Sequence, residues 1–291
     1  MKPAPFVYHD PMSVAEAADL LGRLENHRLL AGGQSLMPMM NFRFVMPDHL
    51  IDLNKIGELS GIELEGDVLR VGAMTRQRDL EFSPEIARVF PILTEALRNV
   101  GHRQTRNRGT IGGSLCHLDP SAELVNMTAL HDGVLHVRSR RGSRDLAFAD
   151  FAAGYMSHSL APDELLAGVS LTAWSPRHGH AFVEVARRHG DFAITAVGVL
   201  LELDGGGVIR RAAAALSGLG PIPVRPAALE RALLGQRPTH EVLRAAAAAA
   251  GALEAMSDAY VTAAYRQHLA RILTYRALEQ AAARAKERTV R

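Results

Sequence analysis

The stretch AGGQSLMPMMNFR, residues 31–43, joins a glycine turn to the beginning of a helix, and it follows a short apolar run at 28–30. Two adjacent glycines, Gly32 and Gly33, allow the backbone to adopt positive φ and allow a ligand to approach the main chain closely. Ser35 stands where a hydroxyl can cap a short helix, whose positive end favours an anion. The pattern predicts a strand that ends in a turn with its N–H groups pointing at a diphosphate, although ordinary turns also use it.

A second glycine-rich stretch, NRGTIGGSLCHLDP, occupies residues 107–120. Its Gly112-Gly113 pair is flanked by two hydroxyl residues, Thr110 and Ser114, and arginines stand just upstream. Two loops of this kind indicate two halves of one nucleotide site. The G-x-G-x-x-G fingerprint is absent from the first turn, so the chain does not follow the Rossmann pattern.

These two stretches, together with ARRHGDFA at 186–193, resemble the FAD-binding medium subunits of the molybdenum hydroxylases. That family includes the flavin subunits of xanthine dehydrogenase, carbon monoxide dehydrogenase, and nicotine and quinoline dehydrogenases. The resemblance runs from Pro5-Phe6 to the final predicted helix. It implies an α+β fold, in which a two-lobed PCMH-type FAD-binding domain precedes a C-terminal domain made of a three-stranded antiparallel sheet covered by helices.

The resemblance also implies a set of cofactor-binding residues. The diphosphate and ribityl region would be held by Ala31, Gly32, Gly33, Gln34 and Ser35. The flavin would be contacted by Thr110, Gly112, Gly113 and Ser114. Val100 would line the site, and Glu123 would pair with a ribose hydroxyl. Leu166 and Phe192 would lie against the rings. No catalytic residue and no metal ligand is implied in this chain, because a flavin supplies its own redox chemistry.

Most of these residues also have a purely structural interpretation. Thr110 and Ser114 suit a helix cap or a closed turn, and Glu123 suits the first turn of a helix, where the dipole favours a carboxylate. Val100 and Leu166 are expected in the core on either interpretation.

The sequence departs from the family pattern at three positions. Phe192 stands where several relatives carry tyrosine, so stacking can survive while a hydroxyl near the flavin is lost; as the predicted start of a strand, it can also be a packing residue. Ser114 replaces an asparagine, and Gln34 stands where carbon monoxide dehydrogenase-like chains have histidine. Gln34 and Ser114 together favour a subunit that serves an N-heterocycle hydroxylase.

The composition limits the class of protein. The 291 residues, 47% hydrophobic and with a formal charge of +2, fit a globular protein with a substantial core. The densest basic run, at 138–144, is expected to be a solvated hairpin turn rather than a nucleic-acid site. A single cysteine, Cys116, excludes an intrachain disulfide and a cysteine-ligated iron–sulfur cluster on this chain alone. We find no signal peptide and no membrane-length apolar run, so we expect a cytoplasmic protein without nucleic-acid partners.

Periodicity predicts the order of elements. A strand at 6–8, a helix opened by the capping box Ser13–Glu16, and strands at 28–31 and 50–53 form a β-α-β opening. A hairpin at 62–73, a helix capped by Thr75, and a helix begun by Pro91 follow. Further elements are a helix at 120–130, a hairpin at 134–148, and strands at 165–174, 180–185, 192–203 and 208–216; the last three are covered by helices at 226–234, 241–255 and about 258–286.

The same pattern divides the chain into domains. We expect a FAD-binding domain over residues 1–176, with lobes at about 1–57 and 58–176, and a C-terminal flavoprotein domain over 177–291.

The histidines do not show metal-ligand spacing. His117, His131 and His136 lack an H-x-x-x-H arrangement with a partner carboxylate, so they are expected to be loop or solvated residues. Cys116 and His117 are adjacent in sequence and do not face each other on a regular element, so they predict no nucleophilic pair.

The residues and the resemblance lead to one main hypothesis. The chain would hold FAD noncovalently as the electron-transfer subunit of a heterotrimeric hydroxylase, in which a molybdopterin-binding large subunit and a small subunit with 2Fe-2S clusters complete the path to an external acceptor. A dimer of heterotrimers is implied, while the substrate and the acceptor stay open. Two alternatives also stay open: a self-contained FAD oxidase or reductase of the same fold, with His117 as a weak candidate for covalent attachment, and a flavin-free scaffold.

Overall fold

A small parallel sheet begins the chain. In the computed structural model, which describes residues 1–290 and side chains through residue 288, the first elements are β1 (Val7–His9), α1 (Val14–Arg23), β2 (His27–Leu30), α2 (Leu36–Asn41) and β3 (His49–Asp52). Strand β3 lies between β1 and β2 and runs parallel to both. One of the two hydrogen bonds of the predicted capping box is present: the Ser13 hydroxyl accepts from the N–H of Glu16 at 3.2 Å. The predicted β-α-β opening is therefore present, with the first glycines at the end of β2.

A five-stranded antiparallel sheet with helices on it forms the next lobe. After a single 3₁₀ turn (Gly57–Leu59), its elements are β4 (Ile62–Glu65), β5 (Val68–Gly72), α3 (Gln77–Phe82), α4 (Pro84–Val89), α5 (Pro91–Leu97), α6 (Arg103–Arg108), α7 (Ile111–His117), α8 (Glu123–Leu130), β6 (Val134–Ser139), β7 (Gly142–Ala147), α9 (Phe148–Phe151), β8 (Ala152–Gly154), β9 (Ser157–His158) and β10 (Leu165–Thr172). The order is β4-β5-β10-β6-β7, and β8 pairs only with β9. The sheet places the turn that follows β5 beside the segment between α6 and α7.

The last part of the chain is an antiparallel sheet under helices. Its elements are β11 (Gly179–Val185), β12 (Thr195–Leu203), β13 (Ile209–Ser217), α10 (Ala227–Leu233), α11 (His240–Gly251) and α12 (Ala263–Val290). Every residue of β12 is buried: Val197 and Val199 join the core under α11 and α12, while Ala196 and Leu200 join the core that contains α8. The strand is a continuous apolar run because both of its faces are covered.

Close packing on this sheet depends on small residues. A Cβ atom at Gly179 would lie 1.8 Å from the carbonyl oxygen of Ala281, so helix α12 approaches β11 at a distance that only glycine permits. The alanines of α11 and α12 make the same approach possible along both helices. Within the described residues, no helix combines the length and the apolar character needed to cross a membrane.

Several local predictions were wrong. Thr75 does not cap a helix: its hydroxyl bonds both the N–H and the carbonyl of Gly61, and α3 begins only after Arg76. The strand predicted from Phe192 begins at Thr195. The long final helix begins at Ala263 instead of 258, because the Asp258 carboxylate accepts from two following N–H groups and closes a turn.

The prediction of loop or solvated histidines is confirmed for the position of His131, which lies in the turn after α8, but its ring is buried and not solvated. Its side chain is only 5% exposed, its Nδ1 lies 3.1 Å from the carbonyl oxygen of Thr172, and its ring packs on that of Phe90. Burial lowers its pKa to about 4, so the ring is neutral at physiological pH.

Candidate functional site

The first glycine segment, residues 31–35, offers free backbone donors. Gly33 has φ of +75°, a conformation that glycine adopts without strain, and it turns the chain between β2 and α2. Within the described residues, the N–H groups of Gly32, Gly33, Gln34 and Ser35 have no acceptor. Ser35 occupies the predicted cap position of α2, but its side chain makes no capping bond, so its hydroxyl is also available. Four N–H donors and a hydroxyl at one turn suit an anionic ligand.

The second glycine segment, residues 109–114, is the beginning of a helix, not the loop that was predicted. Gly112 and Gly113 lie in the first turn of α7, and the Thr110 hydroxyl accepts from the Gly113 N–H at 3.0 Å. The structural interpretation of Thr110 as a cap is therefore confirmed. The Gly112 N–H is bonded to the carbonyl of Ala73 at 2.8 Å, and the Ser114 N–H to that of Thr110 at 3.1 Å. The N–H groups of residues 112–114 are therefore already bonded, and the second segment contributes close packing rather than a row of free donors.

The two segments lie against each other. A Cβ atom at Gly32 would be 2.3 Å from the carbonyl oxygen of Arg108, and one at Gly113 would be 3.4 Å from the Cβ of Ala31. Gly112 is pressed onto Ala73, since a Cβ there would be 2.5 Å from that side chain. Glycine is needed at Gly32 and Gly112 because backbone atoms of the neighbouring segment leave no room for a side chain. The distance between a Cβ at Gly113 and Ala31, by contrast, is an ordinary van der Waals contact. The sequence prediction that both segments belong to one site is consistent with this arrangement.

Glu123 is a buried carboxyl group at the beginning of α8. It is 7% exposed, and burial raises its pKa to about 8, with a further contribution from the nearby charges of Glu184 and Asp119. The sequence analysis missed Glu184, which lies on β11 within an apolar strand. Burial raises the pKa of Glu184 to about 7, and its Oε2 is buried without a hydrogen-bond partner among the described residues. A buried, unpaired carboxyl oxygen is a place where a ligand hydroxyl can donate.

Val100 lies in a loop that a buried ion pair holds in place. Arg106 Nε lies 2.7 Å from Glu81 Oε2, and Arg106 Nη1 donates to the Val100 carbonyl at 2.9 Å. The segment that contains Gly190 packs on the same loop, since a Cβ at Gly190 would be 2.5 Å from Cε1 of His102.

The two remaining predicted ring contacts differ in exposure. Phe192 is 68% exposed in the loop before β12, so its ring is not a packing residue in this chain and is available to a flat ligand. Leu166 is 4% exposed in the core of the second lobe, at an irregularity in the pairing of β10 with β6. Its structural interpretation as a core residue is confirmed.

The donor set fits a dinucleotide flavin. Free N–H groups beside close glycine contacts suit a diphosphate, the buried carboxyl groups suit ribose or ribityl hydroxyls, and the exposed Phe192 suits an aromatic ring system. Fold and site together define an FAD-binding flavoprotein of the type found in molybdenum hydroxylases.

Comparison with known proteins gives the same class. The family model described as the FAD binding domain in molybdopterin dehydrogenase matches residues 4–174, and that of the CO dehydrogenase flavoprotein C-terminal domain matches residues 180–281. The chain belongs to the family of FAD-binding medium subunits of molybdenum-dependent dehydrogenases and hydroxylases, in which it is an FAD-carrying electron-transfer subunit.

Individual relatives are similar over nearly their whole length. The caffeine dehydrogenase subunit beta of Pseudomonas sp. (strain CBB1) is 38% identical over 288 residues, covering 98% of this chain and 97% of that one. Carbon monoxide dehydrogenase from Hydrogenophaga pseudoflava, in a form lacking the Mo-pyranopterin moiety, has a chain with a TM-score of 0.94 and 38% identity, covering 98% of this chain and 99% of that one. Quinoline 2-oxidoreductase from Pseudomonas putida 86 has a chain with a TM-score of 0.94 and 33% identity, covering 98% and 99%.

Proposed function

We propose that this chain works inside a heterotrimer, between a small subunit with 2Fe-2S clusters and an external electron acceptor, and that a molybdopterin-binding large subunit oxidises the substrate. We further propose that two heterotrimers form a dimer and that the complex is cytoplasmic. The support comes from relatives named as subunits or medium chains of dehydrogenases, which match over 98% of this chain. The same matches argue against a self-contained oxidase and against a flavin-free scaffold.

The observation that carries the proposal is the first glycine segment. The N–H groups from Gly32 to Ser35, which have no acceptor among residues 1–290 as described, would bind the FAD diphosphate, because they need no rearrangement to receive an anion. Glu123 would accept from a ribose hydroxyl, and Phe192 would lie against the rings. The site would be lined by Ala31, Val100, Thr110, Gly112, Gly113 and Ser114, with Leu166 behind it. Bound FAD supplies the redox chemistry, and these residues bind and orient it.

We propose that the flavin is held noncovalently. Covalent attachment needs a reactive nucleophile at the flavin, and burial raises the pKa of the Cys116 thiol to about 12, which keeps it protonated. His117 follows Cys116 at the end of α7, and among the described residues no hydrogen bond or ion pair prepares its ring for such a reaction.

The proposed division into domains follows the sheets. Residues 1–176 contain the parallel and the five-stranded sheets, and residues 177–291 contain the three-stranded sheet with its helices. The first domain would divide into lobes at about residue 57, where the parallel sheet ends and the antiparallel one begins.

The substrate class is a finer proposal. Gln34 and Ser114 favour an N-heterocycle hydroxylase, and relatives named for caffeine, nicotine and quinoline compounds support this. The test is to offer the purified complex caffeine, nicotine, quinoline and carbon monoxide in turn, with an artificial acceptor. Turnover of carbon monoxide alone would contradict the proposal.

The subunit assignment is tested by the visible spectrum of the chain co-purified with its genomic neighbours, before and after acid precipitation. We expect flavin bands that move to the supernatant, together with iron–sulfur absorbance and molybdenum in the same complex. A chain that purifies alone and oxidises an organic substrate would refute the assignment. Flavin that stays in the precipitate would refute noncovalent binding.

A further inference from the structure

A hydrogen-bonded bridge connects the two glycine segments outside the motifs themselves. Arg76 stands immediately before α3, and its Nη1 donates to the carbonyl of Arg108, at the end of α6. Its Nη2 donates to Oδ1 of Asn54 at 2.6 Å, and Nδ2 of Asn54 donates to the carbonyl of Ala31 at 2.9 Å. The path therefore runs without a break from the residue before the second glycine segment to the first residue of the first one.

The bridge lies at the closest approach of the two segments. The Arg108 carbonyl that Arg76 holds is also the group that a Cβ at Gly32 would meet at 2.3 Å. Asn54 is itself fixed, because its N–H donates to Oδ1 of Asp52 at 2.9 Å. Arg76 is only half-buried.

The bridge carries positive charge without a direct ion pair. Both groups that Arg76 bonds are neutral acceptors, and neither Arg76 nor Arg108 forms a salt bridge with any described residue. Burial and the neighbouring charge of Arg108 lower the pKa of Arg76, so the two cations repel each other. The carboxylates of Asp79 and Asp52 lie near enough to oppose this shift in part. Arg106, by contrast, is paired with Glu81. Two cations that lack a direct carboxylate partner, beside free N–H donors, are an arrangement that a bound anion stabilises.

We propose that Arg76 is a positioning residue for the FAD diphosphate: it fastens the first glycine segment to the second through Asn54 and Arg108, and its charge favours the bound dianion. The inference rests on the proposed function, since it assumes that FAD is the ligand. Arg76 lies outside both glycine motifs, which is why the sequence did not indicate it.

The test compares FAD with riboflavin, which has the flavin ring and the ribityl chain but no phosphate. The full chain, freed of flavin, is titrated with each compound and followed by flavin fluorescence. The variants are Arg76→Met, which removes both charge and bridge, and Arg76→Lys, which keeps the charge and cannot reach both acceptors at once. Arg78→Met is the matched control, because Arg78 is an exposed arginine two residues away that packs over Phe82.

We expect Arg76→Met to weaken FAD binding by about tenfold or more and to change riboflavin binding less than about twofold. Arg76→Lys should fall between this variant and the wild type, and Arg78→Met should match the wild type. The salt dependence of FAD binding should be shallower in Arg76→Met, a change that a merely structural role would not produce.

Two results would overturn the inference alone: FAD affinity within twofold of the wild type in Arg76→Met and Arg76→Lys, or equal losses for FAD and riboflavin. If Arg76→Met does not fold, the comparison of Arg76→Lys with Arg78→Met decides between the outcomes. A wild-type chain that binds neither flavin would refute the proposed function itself, and the inference with it.

Discussion

Substitution of Gly32 by alanine tests the contact between the two glycine segments. The new Cβ would lie 2.3 Å from the carbonyl oxygen of Arg108 and 2.8 Å from the Cα of Gly109, both of them backbone atoms. Because ordinary contacts begin at about 3.4 Å, the segments must separate by about 1 Å. Flexible side chains cannot absorb this movement, since the atoms that meet the new Cβ belong to the main chain of the neighbouring segment.

The size of the effect follows from that displacement. A hydrogen bond of about 2.9 Å that is lengthened by about 1 Å is no longer a bond. If two of the four N–H donors of residues 32–35 no longer reach the charged phosphate, FAD binding weakens by about 3 kcal/mol, or roughly a hundredfold. The overpacked chain should also lose about 2 kcal/mol of stability without ligand.

The measurement is the FAD dissociation constant of Gly32→Ala by fluorescence titration, with the unfolding free energy from urea denaturation. Gly57→Ala is the matched control, because a Cβ at Gly57 meets nothing within 4 Å and its φ is not positive. It should bind FAD like the wild type. An FAD affinity of Gly32→Ala within twofold of the wild type would show that the segments do not hold the cofactor through their contact.

Three further predictions concern pH and the helix cap. Burial lowers the pKa of His131 and of His178 to about 4, so these two side chains take up protons between pH 6.5 and 4 only in the unfolded chain. Each histidine should therefore lower the free energy of unfolding by about 2 kcal/mol at pH 5. In urea denaturation His131→Gln should lose about half as much stability at pH 5 as the two histidines together cost the wild type, and an unchanged pH dependence would contradict the prediction. Burial raises the pKa of Glu123 to about 8, so ionisation favours the unfolded chain above about pH 4.5. Glu123→Gln should therefore be more stable at pH 8 by about 4 kcal/mol and bind FAD about tenfold more weakly, and a loss of stability at pH 8 would reverse the argument. Thr110→Val removes the hydroxyl that accepts from the Gly113 N–H and should cost about 1 kcal/mol in thermal or urea unfolding, whereas Thr110→Ser should cost nearly nothing; equal losses in both would exclude the cap.

Local sequence patterns predicted those elements whose structure depends only on residues nearby in the sequence. The capping box at Ser13 and the apolar spacing of α1 need only neighbours within one helix, and the hairpin of β4 and β5 needs only alternation around a turn. The start of β12 could not be predicted in this way. Phe192 has the residue type of a strand, but it lies outside the sheet in an exposed loop, and that depends on pairing partners distant in sequence.

The candidate site shows why similar sequences need not have similar roles. Both Gly-Gly pairs follow the same local rule, yet the N–H groups of the first pair meet no acceptor in the part of the chain that the structure describes, while Gly112 donates to Ala73 and Gly113 to Thr110. What separates the two pairs is the acceptor that each donor meets: the Ala73 carbonyl after β5 takes the Gly112 N–H, and the Thr110 hydroxyl of the same segment takes the Gly113 N–H. Glu184 and Arg76, which we propose as further residues of the site, come from elements whose own patterns are those of a strand and a turn. The role that we propose for them depends on the fold, which leaves Glu184 Oε2 without a partner among the described residues and places the Arg76 guanidinium on the Arg108 carbonyl.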